Sequence, residues 1–278
     1  MNSFNQPHIN SEISVNPFLK WAGGKRWLTH NHSYLFPDSY DNYIEPFLGS
    51  GAVFFHTNPK KAILSDYNSD LIDTYIQIKE NWQAIHNGLQ LLHERHNEQT
   101  YYEVRSSECH SPIEKAIKFI YLNRTCWNGL YRVNLKGNFN VPIGTKKNVI
   151  LDTDNFHEIS KKLMNVELIS QDFEKTLSNC KKNDFVFIDP PYTVKHNNNG
   201  FVKYNDKLFS WSDQIRLRDC VKEIINRGSK VLLTNADHTS VRDLYRGIGE
   251  AISLDRLSVI SGSAKARGTY SELIIKCF

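Results

Sequence analysis

No stretch of the 278-residue sequence is long and apolar enough to span a bilayer; even a strong apolar run such as Phe185-Val186-Phe187-Ile188 stops after four residues. The first sixteen residues are polar and lack the apolar core of a secretory signal, so a cytoplasmic chain without membrane attachment is expected. The five cysteines (Cys109, Cys126, Cys180, Cys220, Cys277) stand far apart with no Cys-x-x-Cys spacing, which excludes a zinc ribbon or a disulfide framework and suits free thiols. The eleven histidines are scattered as well, and His30-x-His32 has no Cys or acidic neighbour to make a metal site, so no metal is expected. Acidic residues are missing from residues 115–148. There Lys115, Lys118, Arg124, Arg132, Lys136, Lys146 and Lys147 are interleaved with Trp127, Tyr131 and Phe139, although the net charge of the whole chain is only +4. Cations mixed with aromatics on one segment read as a candidate nucleic-acid surface, with a plain solvated basic face as the alternative.

What the chain does have is alternation. Short apolar runs at Tyr43-Ile44, Ala62-Ile63-Leu64, residues 166–169, Phe185–Ile188, residues 231–234 and Leu273-Ile274-Ile275 are separated by helical stretches, which predicts an α/β sheet. The first two runs are spaced as in a βαβ unit, but about a hundred residues separate the second from the third, so something is inserted there. The insert starts helical and then turns rich in Gly and Asn at Asn128-Gly129 and Gly137-Asn138, which are tight-turn signals. Residues 75–165 therefore read as a mainly helical lobe carrying a basic, aromatic hairpin or loop. Asn197-Asn198-Asn199-Gly200 reads as a further loop.

Two more absences narrow the ligand. Glu45-Pro46-Phe47-Leu48-Gly49-Ser50-Gly51 follows a strand and opens a helix, but Phe54 stands where a dinucleotide fold has its third glycine. A phosphate-free ligand needs only the close-approach glycines, Gly49 and Gly51, and an acid for its hydroxyls; Asp66, after the next strand, is placed for that. The pattern suits S-adenosylmethionine. In Leu19-Lys20-Trp21-Ala22-Gly23-Gly24-Lys25-Arg26 the phosphate-loop pattern fails at both ends, Leu19 replacing glycine and Arg26 replacing the hydroxyl residue, which argues against an ATPase.

Asp189-Pro190-Pro191-Tyr192 directly follows the strand Phe185–Ile188 and thus emerges at the C-terminal edge of the sheet. A bland strand-ending turn is one reading. The chemistry suggests another. An exocyclic amine on a base is a poor nucleophile because its lone pair is delocalised into the ring. A carboxylate (Asp189) and a fixed carbonyl (Pro190) that accept its two hydrogens localise that pair and stabilise the growing positive charge. Pro191 restrains Pro190 to an extended conformation, and Tyr192 offers a face on which an extruded base can stack.

With Lys20-Trp21-Ala22-Gly23-Gly24-Lys25, the Glu45 to Gly51 segment, Ser65-Asp66-Tyr67-Asn68 and Asp189-Pro190-Pro191-Tyr192 in this order, the sequence closely resembles the Dam family of DNA adenine-N6 methyltransferases, the D12 class with alpha-type motif order. The likeness continues through Leu122-Asn123-Arg124, Asn128-Gly129-Leu130-Tyr131-Arg132-Val133-Asn134 and Gly137-Asn138-Phe139-Asn140-Val141-Pro142-Ile143-Gly144, and covers roughly Pro17 to the C-terminus. It implies a Rossmann-like S-adenosylmethionine-dependent methyltransferase sheet (residues 17–74 and 166–278), an inserted target-recognition domain carrying a β-hairpin (75–165) and a polar tail (1–16). It also implies a metal-free enzyme, functional as a monomer, that methylates adenine in double-stranded DNA at GATC by base flipping and releases S-adenosylhomocysteine. A cognate restriction endonuclease is a possible partner.

Residue by residue, the resemblance implies a cofactor site lined by Trp21, Lys25, Glu45, Phe47, Gly49, Gly51, Asp66, Asp172 and Asp189. Lys20 is implied to reach a base. Arg132 is implied to pair with guanine, Leu130 and Pro142 to touch bases, and Trp127 to wedge into the stack. Arg124, Asn128, Asn140 and Lys146 join the DNA contacts. The family commonly continues Arg-Tyr after Val141-Pro142-Ile143-Gly144; here Thr145-Lys146 follows. Residues 261–268 read as a basic hairpin loop that the resemblance implies to contact the DNA backbone, with a plain exposed turn as the alternative. The competing readings are a non-catalytic DNA-binding protein of the same fold, and amine methylation of RNA, cytosine N4 or a protein glutamine.

Overall fold

The structure, a computed structural model, describes residues 15–134, 137–195, 209–257 and 269–278. The expected loops at 197–200 and 261–268, and nearly all of the polar tail, lie outside the described residues.

Seven strands form one sheet in the order β3-β2-β1-β4-β5-β7-β6. They are β1 (Tyr43–Glu45), β2 (Ala62–Asp66), β3 (Val166–Ser170), β4 (Phe185–Ile188), β5 (Lys230–Ala236), β6 (Glu250–Leu257) and β7 (Thr269–Cys277). The first five run parallel, and β7 inserts antiparallel between β5 and β6. β4 is apolar and buried at every position, as expected for a central parallel strand covered on both faces. β1 sits between β2 and β4, so the strand order reverses there, and the C-terminal ends of these strands open a crevice of the kind that binds ligands in such sheets. Glu45 and Asp66 close their strands at that edge, and Asp189 follows β4 directly.

The helices are α1 (Arg26–Asn31), α2 (Ala52–Thr57), α3 (Ser69–Glu94), α4 (Glu98–Ser106), α5 (Pro112–Thr125), α6 (Phe156–Leu163), α7 (Phe173–Leu177), α8 (Trp211–Asn226) and α9 (Thr239–Leu244). Between β2 and β3 the inserted segment is indeed helical, α3 to α6. Helix α3 starts where Asn68 accepts a hydrogen bond from Leu71 N at 3.2 Å, and it buries a stripe that includes Leu71, Tyr75, Ile78, Ile85 and Leu89. It kinks at Asn81, next to Lys79, whose carbonyl accepts from Ser160 Oγ at 2.7 Å. α5 starts at a Ser111 cap with Pro112 in the first turn. It crosses α3 at Gly88, where a Cβ would stand 2.3 Å from Ile117 Cδ1. Tyr75, at the expected domain boundary, is in mid-helix. One continuous core joins Phe18, Tyr43 and Phe54 of the sheet layer to Tyr75, Tyr101 and Tyr121 of the inserted helices. A second core, around Val186, Leu217 and Val221, fills the opposite face. Among the described residues, the expected hairpin of the insert shows as isolated antiparallel bridges, Cys126 with Ile143 and Val133 with Phe139.

Candidate active site

The turn after β1 is built on two glycines with positive φ, Gly49 at 49° and Gly51 at 64°. A Cβ on Gly49 would meet Trp21 Cδ1 at 2.8 Å, so Gly49 needs glycine for space as well as for conformation; at Gly51 the positive φ is the constraint, with Tyr75 Oη 3.2 Å away from such a Cβ. Asp66 holds this turn from β2, accepting from Gly49 N at 3.2 Å and from Asn68 N at 3.0 Å. Burial raises the Asp66 carboxyl above its usual range against those amide bonds. Burial raises Glu45 further still, although Tyr43 Oη donates to it at 2.8 Å; Asp189 and Asp66 add to the rise. Desolvated acids around an open glycine turn form a cradle that favours a cationic ligand.

Asp189 is gripped from two sides. Thr234 of β5 donates to Oδ1 at 2.6 Å, and the Lys25 ammonium lies 2.9 Å from Oδ2. Lys25 is itself buried; it donates to Gly23 O at 2.6 Å, stands 3.5 Å from Glu272 Oε2 and lies over the Tyr192 ring at 5.1 Å. Tyr192 Oη donates to the same Glu272 oxygen at 2.8 Å. Burial, with Asp189 and Glu272 nearby, raises the Tyr192 phenol well above its usual range, so it acts as a neutral donor. Glu272 and Thr234 were missed in the sequence. The signal for Glu272 was available: a lone acid next to Leu273-Ile274-Ile275 in a strand that must be buried.

Asp172 caps α7, accepting from Glu174 N at 2.9 Å, and pairs with Arg216 at 2.9 Å. Its neighbour Phe173 stacks on Phe47 with ring centroids 5.4 Å apart, which joins the β1 and β3 loops at the edge of the crevice.

The segment leading into Lys25 is strapped to the insert. Asn123, fully buried in α5, accepts from Lys20 N at 2.9 Å and donates to Lys20 O at 2.7 Å. Gly129 packs so closely on the Lys20 side chain that a Cβ there would lie 2.9 Å from it. Trp21 touches Gly49 and also stacks on Tyr131 of the insert at 5.9 Å. Burial and the nearby Lys146 charge lower the Lys20 pKa, so these two lysines share one surface. On that surface Trp127 is 49% exposed, and Asn128, Pro142, Lys146, Arg132 and Asn140 are exposed too. Trp127 N donates to Pro142 O at 2.9 Å, and Arg132 Nε donates to Asn140 Oδ1 at 2.9 Å, so four of the expected contact residues brace one another in two pairs. Leu130 is half-buried against the core.

Arg124 requires a correction. It was expected among the DNA contacts, but it is 1% exposed and its guanidinium forks onto Asp154 at 2.6 and 2.7 Å while donating to Phe18 O and Val149 O. Arg124 is an internal post. Its place near the end of α5, where every residue from Phe119 to Thr125 is buried, explains why. Among the described residues no group of three His, Cys, Asp or Glu side chains comes together as a metal site, and no described helix is long and apolar enough to cross a membrane.

The 3-2-1-4-5-7-6 sheet, with its glycine turn and acids at the reversal point, defines a Rossmann-like S-adenosylmethionine-dependent methyltransferase. Residues 21–260 match the model of the D12 class N6 adenine-specific DNA methyltransferases, and the chain belongs to that family. It is 38% identical to the type II methyltransferase M1.LlaDCHI of Lactococcus lactis subsp. cremoris, over 95% of this chain and 96% of that protein. It is 35% identical to the type II methyltransferase M.MjaIII of Methanocaldococcus jannaschii, over 95% and 99%. With the DNA adenine methylase of Haemophilus influenzae it shares 33% identity over 86% of each chain.

Proposed function

We propose that the chain methylates N6 of an adenine in duplex DNA, within GATC or a close variant, on a base rotated out of the helix. The observation that carries this reading is Asp189, held by Lys25 and Thr234 at the reversal point of the sheet beside the Gly49 turn. The cradle fits S-adenosylmethionine: Gly49 and Gly51 allow close approach, and Glu45 and Asp66 are desolvated acids with a preference for positive charge. Trp21, Phe47, Asp172 and Lys25 complete its walls. When bound, the cofactor supplies an electrophilic methyl group on sulfonium and leaves as S-adenosylhomocysteine.

The protein's own part is orientation and charge. Asp189 and the Pro190 carbonyl accept the two amine hydrogens, which draws the nitrogen lone pair out of the ring and stabilises the nitrogen as it becomes cationic. Tyr192 stacks on the extruded base. Alignment of the amine with the methyl donor supplies much of the remaining rate. Residues 75–165 serve as the target-recognition lobe. Arg132 reads a guanine edge, Leu130 and Pro142 meet bases, Trp127 fills the space left by the flipped base, and Lys20, Asn128, Asn140 and Lys146 support and anchor. The type II methyltransferase names of the Lactococcus and Methanocaldococcus relatives support a restriction-modification setting with a cognate endonuclease. In this reading the enzyme acts as a cytoplasmic monomer.

The test is transfer of labelled methyl groups to unmethylated duplex DNA, followed by sequencing-based mapping of N6-methyladenine. Wild-type protein is expected to label DNA at one short motif, and Asp189→Ala to abolish transfer while retaining DNA binding. Full activity in that variant removes Asp189 from the mechanism.

A further inference from the structure

Lys25 presents an accounting problem. An ammonium has three donors, and here they face three acceptors: Gly23 O at 2.6 Å, Asp189 Oδ2 at 2.9 Å and Glu272 Oε2 at 3.5 Å. Each Asp189 oxygen can accept more than one hydrogen bond, but an amine arriving at Oδ2, the oxygen that Thr234 does not hold, competes with Lys25 for it and weakens that pairing. A buried cation that loses its carboxylate is costly unless a second one stands ready. Glu272, 2% exposed, is within reach on the other side, fixed on β7 opposite Ala236 of β5. Its Oε2 also receives the Tyr192 hydroxyl at 2.8 Å, so one carboxylate braces both the lysine and the stacking ring.

We propose that Glu272 is a positioning residue for methyl transfer. It takes a larger share of the Lys25 charge when the target amine competes with Lys25 for Asp189, and it holds the Tyr192 ring in place for the base. The inference rests on the reading of Asp189 given above. No bond to carbon is made or broken by Glu272; what moves is the ammonium, by less than the length of one hydrogen bond.

Glu272→Gln keeps the shape and the acceptor for Tyr192 but removes the charge. The expected result is a fall in kcat of about tenfold or more, with S-adenosylmethionine binding by titration unchanged. Glu272→Asp, which keeps the charge, is expected to recover part of the loss. In a Lys25→Met background the Glu272→Gln change should cost little more, because there is no longer a cation to receive. A kcat within about threefold of wild type, or a loss that adds in full to that of Lys25→Met, overturns the proposal. If the Gln variant does not fold, Glu272→Asp carries the same test: its loss must shrink in the Lys25→Met background, and a loss that adds in full overturns the proposal. Absence of methyl transfer by the wild-type protein is a different outcome, and counts against the proposed function instead.

Discussion

At the residue scale, the contrast between Arg124 and Arg132 is instructive, because both are arginines of one basic segment and only their surroundings separate them. Arg132 is exposed and rests on Asn140; Arg124 is enclosed, with Asp154 as its counter-ion and two backbone carbonyls as acceptors. Removing one member of a buried, hydrogen-bonded pair leaves the other charge without compensation, which typically costs about 3–5 kcal/mol. Arg124→Met is therefore expected to lower the urea midpoint strongly, and Arg124→Met combined with Asp154→Leu to recover part of the loss. An unchanged midpoint with weakened DNA binding would return Arg124 to the surface role that the pattern of charges suggested. Charge pattern alone could not distinguish the two arginines. The discriminating partner, Asp154, lies thirty residues away and meets Arg124 only after the insert has folded.

At the scale of elements, the strands that the sequence revealed are β1, β2, β4, β5 and β7, whose apolar residues are largely buried, and the edge strand β3, legible from its apolar run although only Val166 in it is buried. Strand β6 escaped notice because it is an edge strand with a weak alternation, Ile252 and Leu254 half-buried between exposed Ala251, Ser253 and Asp255. The glycine turn and Asp189-Pro190-Pro191-Tyr192 were legible because their chemistry is local. Glu272 was legible only as a lone acid in a buried strand; its role was not, because its partners Lys25 and Tyr192 are brought to it only by the position of β7 in the sheet. The end of β5 is secured by another such long-range set. Asp237 accepts a fork of hydrogen bonds from Arg242 and one from Ser271 on β7, and these lower its carboxyl pKa from 3.8 to about 2. A depressed carboxylate stabilises the fold above its unfolded pKa, and that contribution fades as pH falls through the folded value. Acid unfolding of the wild type is expected to steepen between those two values. Asp237→Asn should be less stable at neutral pH yet show a shallower loss over that window; an unchanged acid profile would mean that the Asp237 fork contributes nothing.

At the scale of the whole molecule, a net charge of +4 says little, but the grouping of Lys20 with the exposed Lys146 and Lys147 of the insert makes a salt-dependent encounter with DNA the expected behaviour. Lys146→Ala should weaken binding equally on every DNA sequence and reduce the slope of log affinity against log salt by about one. Arg132→Ala should instead relax the choice at one guanine by about 1–3 kcal/mol. Equal weakening on all sequences by both variants would leave base reading to other residues. Titrations over a range of salt, on matched and mismatched duplexes, separate the outcomes.

The strap at Lys20 and Trp21 bears on how such a protein can be rebuilt. Asn123 grips the Lys20 backbone, Arg124 grips Phe18 O, and Trp21 is shared between Gly49 and Tyr131. The inserted helices are thus not a cassette that can be cut out at two points in the chain. A chimera that imports residues 75–165 from a relative while keeping its own residues 17–21 would place a foreign clamp on a native loop. The transplantable unit is discontinuous and includes the strap.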